Sequence, residues 1–372
     1  MCTAANFNIL PNNIEKAIRV CYTELKSQSR WQKMIEYREQ IQDSEEYKQK
    51  FVDGLDELIY ARQREFEQMR REYRKGILEN QEQYREEFKA MLGWPLVGYH
   101  EDGIPRVTSV RLAKEDGYTV YRMTFRILGT VDVTGLYFEI DGAEKRPLVI
   151  AQHGGWGSPE QISNFFGDTE NYNHMAERVL ARGVHVFAPQ LLLWNPNKHT
   201  TEYNRDRIDG RLKRVGGSIT AVECHALMRI LDYFEVQENV SAFGMLGLSY
   251  GGFWTLYLSA VDTRIKSAIS CAFFNKRDQY PWAPWTWLGS AARFDDAEVA
   301  ALVYPRQLCI QIGKSDPLFD AKYGYDSYAE LCEICKDVGT EWVDFMPFDG
   351  EHEFCKDDAP IERLVNDLIN TK

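Results

Sequence analysis

The sequence has no long apolar run and no excess of basic residues. Its 372 residues carry a net charge of -12, which argues against nucleic acid or an anionic membrane as a partner. No stretch approaches the roughly 20 apolar residues that span a bilayer, and the first residues lack the basic and apolar regions of a signal peptide. We therefore expect no nucleic-acid partner, no membrane association and a cytoplasmic location.

The eight cysteines are not spaced as a disulfide framework. They are scattered over predicted helices and strands, which fits a reduced protein. Cys332 and Cys335 form a C-x-x-C pair, but the pair lies in a helical pattern and no second pair completes a zinc site. We interpret it as part of a packed helix face, and we expect no metal and no cofactor.

Residues 12–92 have the periodicity of helices. Apolar side chains recur at steps of mostly three, four and seven among Glu, Arg, Lys and Gln, so each helix has one apolar stripe that needs a partner surface. We expect helix breaks near Gly54 and Gly76. Residues 1–95 are predicted to form a separate helical segment that either caps the rest of the chain or builds a homodimer, and both roles stay open.

Residues 96–372 have the pattern of an α/β domain. Two strands within 107–128, joined by a turn at Asp116-Gly117, and a third over 131–140 are expected to be antiparallel at one sheet edge. Short apolar strands then alternate with helices, which predicts a mostly parallel, doubly wound sheet. Insertions are expected near 191–217 and 276–300.

The stretch Gly247-Leu248-Ser249-Tyr250-Gly251 has the form G-x-S-x-G between an apolar strand and an apolar helix. This is the form of a nucleophile elbow, a sharp strand-to-helix turn that carries a serine. Small residues at the first and last positions let the strand and the helix pass close together. The motif alone also fits a glycine-rich turn whose serine has no catalytic role. The rest of the chain must therefore decide between this turn and a nucleophile elbow.

Two further residues lie where a serine nucleophile needs its partners. A serine hydroxyl needs a general base, and the base needs a carboxylate that orients it. In an open parallel sheet these groups belong at the carboxyl ends of the strands. Asp316 follows the predicted strand 307–312, and His352 follows the last strand, whereas Asp320 falls inside a helix start. We predict Ser249 as the nucleophile, His352 as the base and Asp316 as the orienting carboxylate.

The oxyanion of a tetrahedral intermediate needs two preorganised N–H donors. One is expected from the amide of Tyr250, the residue after the serine. The second is expected from the loop His153-Gly154-Gly155-Trp156-Gly157, because glycines let the backbone approach the substrate. Gly154 and Gly155 are the candidates, and His153 is interpreted as a residue that shapes the loop.

Together these residues resemble the α/β-hydrolase superfamily over residues of roughly 105–370. The resemblance is carried by the elbow at 247–251, the His-Gly-Gly loop at 153–155 and the order Ser249, Asp316, His352. The early antiparallel strands and the Gly-Leu-Ser-Tyr-Gly-Gly elbow are similar to the acetyl xylan esterase and dienelactone hydrolase-like branches. The prolyl oligopeptidase-like branch shares these features, but residues 12–92 have no β-propeller pattern.

The resemblance implies a serine hydrolase that cleaves a small carboxylic ester through an acyl-enzyme, and a carbohydrate-ester deacetylase is one form that it allows. A serine peptidase or amidase and a non-catalytic hydrolase-fold scaffold are the alternatives. Tryptophans in the connections either stack on sugar or aromatic rings of a substrate or form the apolar base of a lid. The candidates for the substrate pocket are Trp156, Trp194, Trp282, Trp285 and Trp287.

Overall fold

The structure is a computed structural model that describes residues 37, 39–94, 103–192 and 203–370. The chain divides into two compact units, Met1–Arg64 and Glu65–Lys372. The division falls inside the first long helix, α1 (Glu45–Tyr73), whereas the sequence pattern predicts a boundary near residue 95. Residues 65–94 therefore belong to the same unit as all the strands.

The helical segment breaks at one of the two predicted glycines. Helix α1 continues through Gly54, so the break expected there is wrong, since one glycine costs an exposed helix only about 1 kcal/mol. The break near Gly76 is confirmed, because the chain turns there with a φ of +87° before α2 (Gln81–Leu92) begins. Within the described residues, no helix is both long and apolar enough to cross a bilayer.

Over the described ranges, the strands are β1 (Val107–Glu115), β2 (Tyr118–Leu128), β3 (Val131–Ile140), β4 (Arg146–Gln152), β5 (His185–Pro189), β6 (Val240–Leu248), β7 (Ile265–Cys271), β8 (Gln307–Gly313) and β9 (Val343–Phe348). They form one nine-stranded sheet in the order β1-β2-β3-β5-β4-β6-β7-β8-β9. The pairs β1–β2, β2–β3 and β3–β5 are antiparallel, and the other five pairs are parallel. This confirms the predicted mostly parallel sheet with antiparallel N-terminal strands.

Helices cover both faces of this sheet. Along β4, Leu148 and Ile150 belong to one apolar cluster, while Val149 and Ala151 belong to the other, because successive side chains of a strand point to opposite faces. The two clusters are the two cores of a sheet buried on both sides. The remaining helices are α3 (Pro159–Ile162), α4 (Met175–Leu180), α5 (Arg205–Arg214), α6 (Ile219–Glu235), α7 (Tyr250–Val261), α8 (Asp296–Ala301), α9 (Ala321–Ile334) and α10 (Ala359–Ile369).

Helix α2 packs against α7, the helix that follows the serine. The ring of Phe88 is buried and lies 5.3 Å from the ring of Tyr257. The buried guanidinium of Arg85 donates from Nε to the carbonyl oxygen of Ala260 at 3.1 Å. At the end of α2, the carbonyl oxygen of Leu92 accepts a hydrogen bond from Ser218. The apolar stripe of α2 therefore finds its partner surface on the α/β unit itself.

The two predicted insertions both contain helices. The connection near 191–217 holds α5 in the part that the structure describes. The connection near 276–300 begins with three single 3₁₀ turns and ends in α8. Both follow the carboxyl end of a parallel strand, where an open α/β sheet carries its ligand-binding loops.

Candidate active site

Ser249 lies in the sharp turn between β6 and α7. Its φ of 60° and ψ of -119° are rare for a residue with a side chain, and such strain costs about 1–3 kcal/mol. A Cβ atom on Gly247 would lie 2.4 Å from the carbonyl oxygen of Gly251, and one on Gly251 would lie 2.1 Å from that of Gln152. Both glycines of the motif are therefore required by the close passage of strand and helix.

The imidazole of His352 lies against the carboxylate of Asp316. His352 Nδ1 and Asp316 Oδ2 are 2.8 Å apart. Because a carboxylate accepts hydrogen bonds, the proton belongs on Nδ1, which leaves the lone pair of Nε2 free to accept a proton. The other oxygen of Asp316, Oδ1, accepts the amide hydrogens of Leu318 and Phe319 at 2.8 and 3.1 Å. The Asp316 side chain is buried and fixed at both oxygens.

The loop that carries His352 is held by two neighbours. A Cβ on Gly313, at the end of β8, would lie 2.1 Å from the carbonyl oxygen of Glu351, so the loop passes directly over a glycine. On the other side, the amide group of Asn171 donates from Nδ2 to the carbonyl oxygen of His352 at 2.9 Å. The amide of Phe354 donates to the carbonyl oxygen of Asn171 at 2.8 Å. The backbone of the loop that carries His352 is thus held in place on both sides.

Ser249 and His352 line the same cavity, which has a volume of about 360 Å³. This size fits a small organic ligand, because such sites usually measure about 300–1,000 Å³. Most of the wall is apolar and aromatic, and a few polar groups lie among these side chains. The lining residues are Gly154, Gly155, Trp156, Gln161, Glu170, Asn171, Tyr172, Leu248, Ser249, Tyr250, Trp282, Trp285, Leu318, Phe319 and His352.

Three of the five candidate tryptophans line this cavity. Trp156 and Trp282 are partly exposed there, while Trp285 is buried against Phe253 and Phe273. Trp287 does not line the cavity: it is buried, and its ring lies 6.4 Å from that of Tyr257. Its place in the candidate pocket is therefore corrected to the core, because its ring is buried in the apolar cluster that also contains Tyr257 and Phe294. Trp194 lies outside the described residues.

The backbone amides of Gly154 and Gly155, which follow β4, differ in their hydrogen bonding. The N–H of Gly154 donates to the hydroxyl oxygen of Tyr172 at 2.8 Å, so this amide is already engaged. Gly155 lines the cavity beside it and is the better candidate for an oxyanion donor. The carbonyl oxygen of Gly154 accepts the amide hydrogen of Gly157 at 3.2 Å, which closes the loop into a turn.

His153 holds this loop in place. Its Nε2 accepts the amide hydrogen of Leu191 at 3.1 Å, so the proton of a neutral ring lies on Nδ1. Nδ1 is 2.7 Å from the carbonyl oxygen of Gly154 and donates to it. The ring is fully buried and joins the end of β5 to the glycine loop, in agreement with the interpretation of His153 as a residue that shapes the loop.

A buried charged group lies behind Tyr250. Glu223 accepts hydrogen bonds from the Tyr250 hydroxyl at 2.6 Å and from two nitrogens of Arg205 at 3.0 and 2.6 Å. The amide of Leu192 donates to the same carboxylate at 3.0 Å. Burial raises the pKa of Glu223 to about 7, although the neighbouring Arg205 opposes the shift. This group ties α5, in the first insertion, to the residue that follows the serine.

The cavity also contains residues that the sequence pattern did not indicate. Glu170, Asn171 and Tyr172 come from a 3₁₀ turn. Phe319 lies three residues after Asp316, and its position just past a strand end was the signal that could have indicated it. No local pattern marks Tyr172. Among the described residues, no group of three or more His, Cys, Asp and Glu side chains is arranged to hold a metal ion.

Comparison with known proteins defines the fold. No protein-family model matches the chain, and no curated protein matches it at the sequence level. Solved structures do match. A candidate acetyl xylan esterase from Bacteroides fragilis aligns at 15% identity with a TM-score of 0.58, over 74% of this chain and 76% of that protein.

Two other enzymes align over most of their own length. A glucuronoyl esterase from Solibacter usitatus aligns at 15% identity with a TM-score of 0.54, over 75% of this chain and 90% of that enzyme. Acetyl xylan esterase 1 from a Thermoanaerobacterium species aligns at 13% identity with a TM-score of 0.51, over 79% and 94%. The chain therefore has the α/β-hydrolase fold, as the resemblance of its motifs predicts.

Proposed function

We propose that the protein is a carboxylic ester hydrolase that uses Ser249, His352 and Asp316. The observation that carries the proposal is the 2.8 Å contact between His352 Nδ1 and a buried Asp316, in a histidine that shares one cavity with a serine held in an elbow. Solved structures with this fold carry esterase names, which supports ester hydrolysis over other uses of the same three groups.

In the proposed reaction, Ser249 Oγ bonds to the acyl carbon while its proton passes to His352 Nε2. The carbonyl electron pair moves onto the oxygen, which accepts hydrogen bonds from the amides of Tyr250 and Gly155. When the tetrahedral state collapses, the bond to the alcohol oxygen breaks and His352 gives that oxygen the proton. Water then repeats the sequence on the acyl-enzyme and releases the acid. Asp316 holds the imidazole and stabilises its charged form.

The cavity favours uncharged or cationic ester substrates. Aromatic rings of Trp156, Trp282 and Phe319 supply flat apolar surfaces for a ring or an acyl chain. Among the described residues, the lining contains one acidic group, the carboxylate of Glu170, and no Lys or Arg. A substrate with a free carboxylate would meet repulsion there. A neutral carbohydrate ester is one substrate that fits this wall.

Covalent labelling of the serine tests the proposal. Intact-mass analysis after treatment with a fluorophosphonate should give one adduct on the wild type and none on Ser249→Ala. Ser241→Ala is the matched control, because Ser241 is exposed at the opposite end of the same strand, and it should label like the wild type. No adduct on a folded wild type would favour a non-catalytic scaffold.

Turnover of paired substrates separates an esterase from an amidase. The same acyl group is offered as an ester and as an anilide, and kcat/KM is compared. We expect the ester to be cleaved much faster, since no Lys or Arg among the described residues lines the cavity to bind the carboxylate terminus of a peptide. Faster cleavage of the anilide would favour the peptidase or amidase alternative of the prolyl oligopeptidase-like type.

The proposal places this activity in the cytoplasm. The six described cysteines are free thiols, in line with a reducing compartment. Cys271 is buried and donates from its sulfur to the carbonyl oxygen of Glu353 at 3.3 Å, so oxidation there would disturb the loop that carries His352. Titration of thiols in the denatured protein should find eight, and fewer would contradict this location.

A further inference from the structure

The phenol of Tyr172 is a buried group that the proposed reaction does not use. It lies in the 3₁₀ turn Glu170–Tyr172, lines the cavity of Ser249 and is only 4% exposed. Burial raises the pKa of its hydroxyl above the ordinary value of 10.0. The group therefore stays protonated at neutral pH and can act as a hydrogen-bond donor.

The hydroxyl of Tyr172 lies against the glycine loop, at the point where that loop passes the serine. A Cβ on Gly154 would be 3.0 Å from this hydroxyl oxygen and 3.4 Å from the Cβ of Ser249. A Cβ on Gly157 would be 2.0 Å from the same oxygen. Two glycines thus border the hydroxyl: a side chain at position 157 would displace it, and a side chain at position 154 would press against it.

Within the described residues, the hydroxyl of Tyr172 accepts a hydrogen bond but does not donate one. Its oxygen accepts the N–H of Gly154 at 2.8 Å. Its own proton has no acceptor within the part of the chain that the structure describes. Leaving a buried donor without an acceptor is unfavourable, which indicates that its partner arrives with the ligand. The Gly154 amide, by donating to the oxygen, makes the O–H a better donor.

We propose that Tyr172 is a catalytic residue whose O–H donates to the oxyanion formed when Ser249 attacks the ester. The hydroxyl takes the place of the Gly154 amide, which is engaged with it, and acts beside the amides of Tyr250 and Gly155. No proton is transferred in this contact: the carbonyl electron pair moves onto oxygen and the three donors hold the charge. The inference rests on the proposed ester hydrolysis.

The test compares Tyr172→Phe with the wild type on an ester and on its thionoester, in which sulfur replaces the carbonyl oxygen. Loss of one oxyanion donor lowers kcat by about 100-fold or more, with little change in KM. Sulfur accepts hydrogen bonds weakly, so the thionoester should be affected far less. Tyr84→Phe is the matched control, because its hydroxyl bonds to backbone carbonyls of residues 73 and 75, and its kcat should be unchanged.

Several outcomes overturn the role of Tyr172. An unchanged kcat on the ester would do so, and so would an equal loss on both substrates, which a residue that only fastens the glycine loop would give. If Tyr172→Phe does not unfold cooperatively, 3-fluorotyrosine at position 172 keeps the ring and strengthens the donor. The ratio of ester to thionoester turnover must then shift from the wild-type value, and an unchanged ratio contradicts the proposal.

Labelling by fluorophosphonate separates this inference from the proposed function. Labelled Ser249 together with an unchanged substrate ratio overturns the role of Tyr172 alone. Absence of labelling in the folded wild type overturns ester hydrolysis itself, whatever the variants of Tyr172 do.

Discussion

Asp316 Oδ2 lies 2.8 Å from His352 Nδ1, although 36 positions separate the two residues in the chain. The contact forms because β8 and β9 are parallel neighbours, so the loops at their carboxyl ends meet. If this contact orients a catalytic base, its removal should affect the rate and leave the fold intact.

The first prediction therefore concerns Asp316→Asn. An asparagine can offer an N–H where the imidazole needs an acceptor, which stabilises the wrong tautomer and should lower kcat by about 10³- to 10⁴-fold. Asp320→Asn is the control: its carboxylate accepts the amide hydrogen of Lys322 at the start of α9, and asparagine caps a helix equally well. Steady-state kinetics on both variants checks this, and equal activities would count against Asp316.

The second prediction concerns the buried ion pairs that hold the end of α1. Arg70 lies 3.4 Å from Glu298 and 3.6 Å from Glu330, and its side chain is 8% exposed. Arg70→Met leaves Glu298 buried with one cationic partner fewer, which should lower the free energy of unfolding by about 3–5 kcal/mol. Urea denaturation measures this change.

Arg71→Met is the matched control for Arg70. Arg71 is the next residue, its side chain is 60% exposed, and it pairs with Glu67 at 2.7 Å. An exposed pair contributes only about 0–1 kcal/mol, so its loss should be barely visible. If the two variants lose the same stability, the buried network does not hold α1 as described.

The third prediction follows from the raised pKa of Glu223. The folded protein holds this proton more tightly than the unfolded chain, since burial raises the pKa from 4.5 to about 7. The contribution to stability is therefore full below pH 4.5 and is lost as the pH rises through about 7. The free energy of unfolding of the wild type, relative to Glu223→Gln, should fall by roughly 2–3 kcal/mol between pH 5 and pH 8.

Chemical denaturation across this pH range measures the difference between the two proteins. Glu238→Gln serves as the control, because Glu238 is an exposed glutamate, and its stability curve should run parallel to that of the wild type. A parallel curve for Glu223→Gln as well would show that Glu223 does not bind its proton differently in the folded state.

The fourth prediction tests the homodimer, one of the two roles that the N-terminal helices leave open. Phe51, Leu55 and Leu58 are exposed on one face of α1, at helical spacing. If a second copy covers this stripe, Leu55→Lys should shift the mass in sedimentation analysis from dimer to monomer. Asp56→Lys places the same side chain about 100° away around the helix and should leave the mass unchanged. A wild-type monomer would exclude this interface.

Much of the sheet could be predicted because its signals are local. The strand over 131–140 was expected where it is found, since alternation, turns and apolar runs lie within a few residues of each other. Ser249, Asp316 and His352 could be proposed for the same reason, because each follows a recognisable strand and parallel strands bring their carboxyl ends to one edge.

The features that the sequence left open depend on contacts between distant segments. The helical period of residues 65–92 predicts an apolar stripe but does not name its partner, which proved to be α7 and the core of the α/β unit. Trp285 and Trp287 are two residues apart, yet the first lines the cavity and the second packs in the core. Local composition cannot separate them, because the path of an irregular loop decides which way each ring points.

The sequence by itself determined the class of fold and the three residues proposed for the chemistry, because hydrophobic period and the G-x-S-x-G turn are properties of adjacent residues. Only the tertiary structure decided that the Tyr172 hydroxyl accepts the hydrogen bond of the Gly154 amide and that Glu223 accepts one from the Tyr250 hydroxyl. Those contacts join segments 18 and 27 positions apart in the chain. They arise from packing, which no pattern of neighbouring residues encodes.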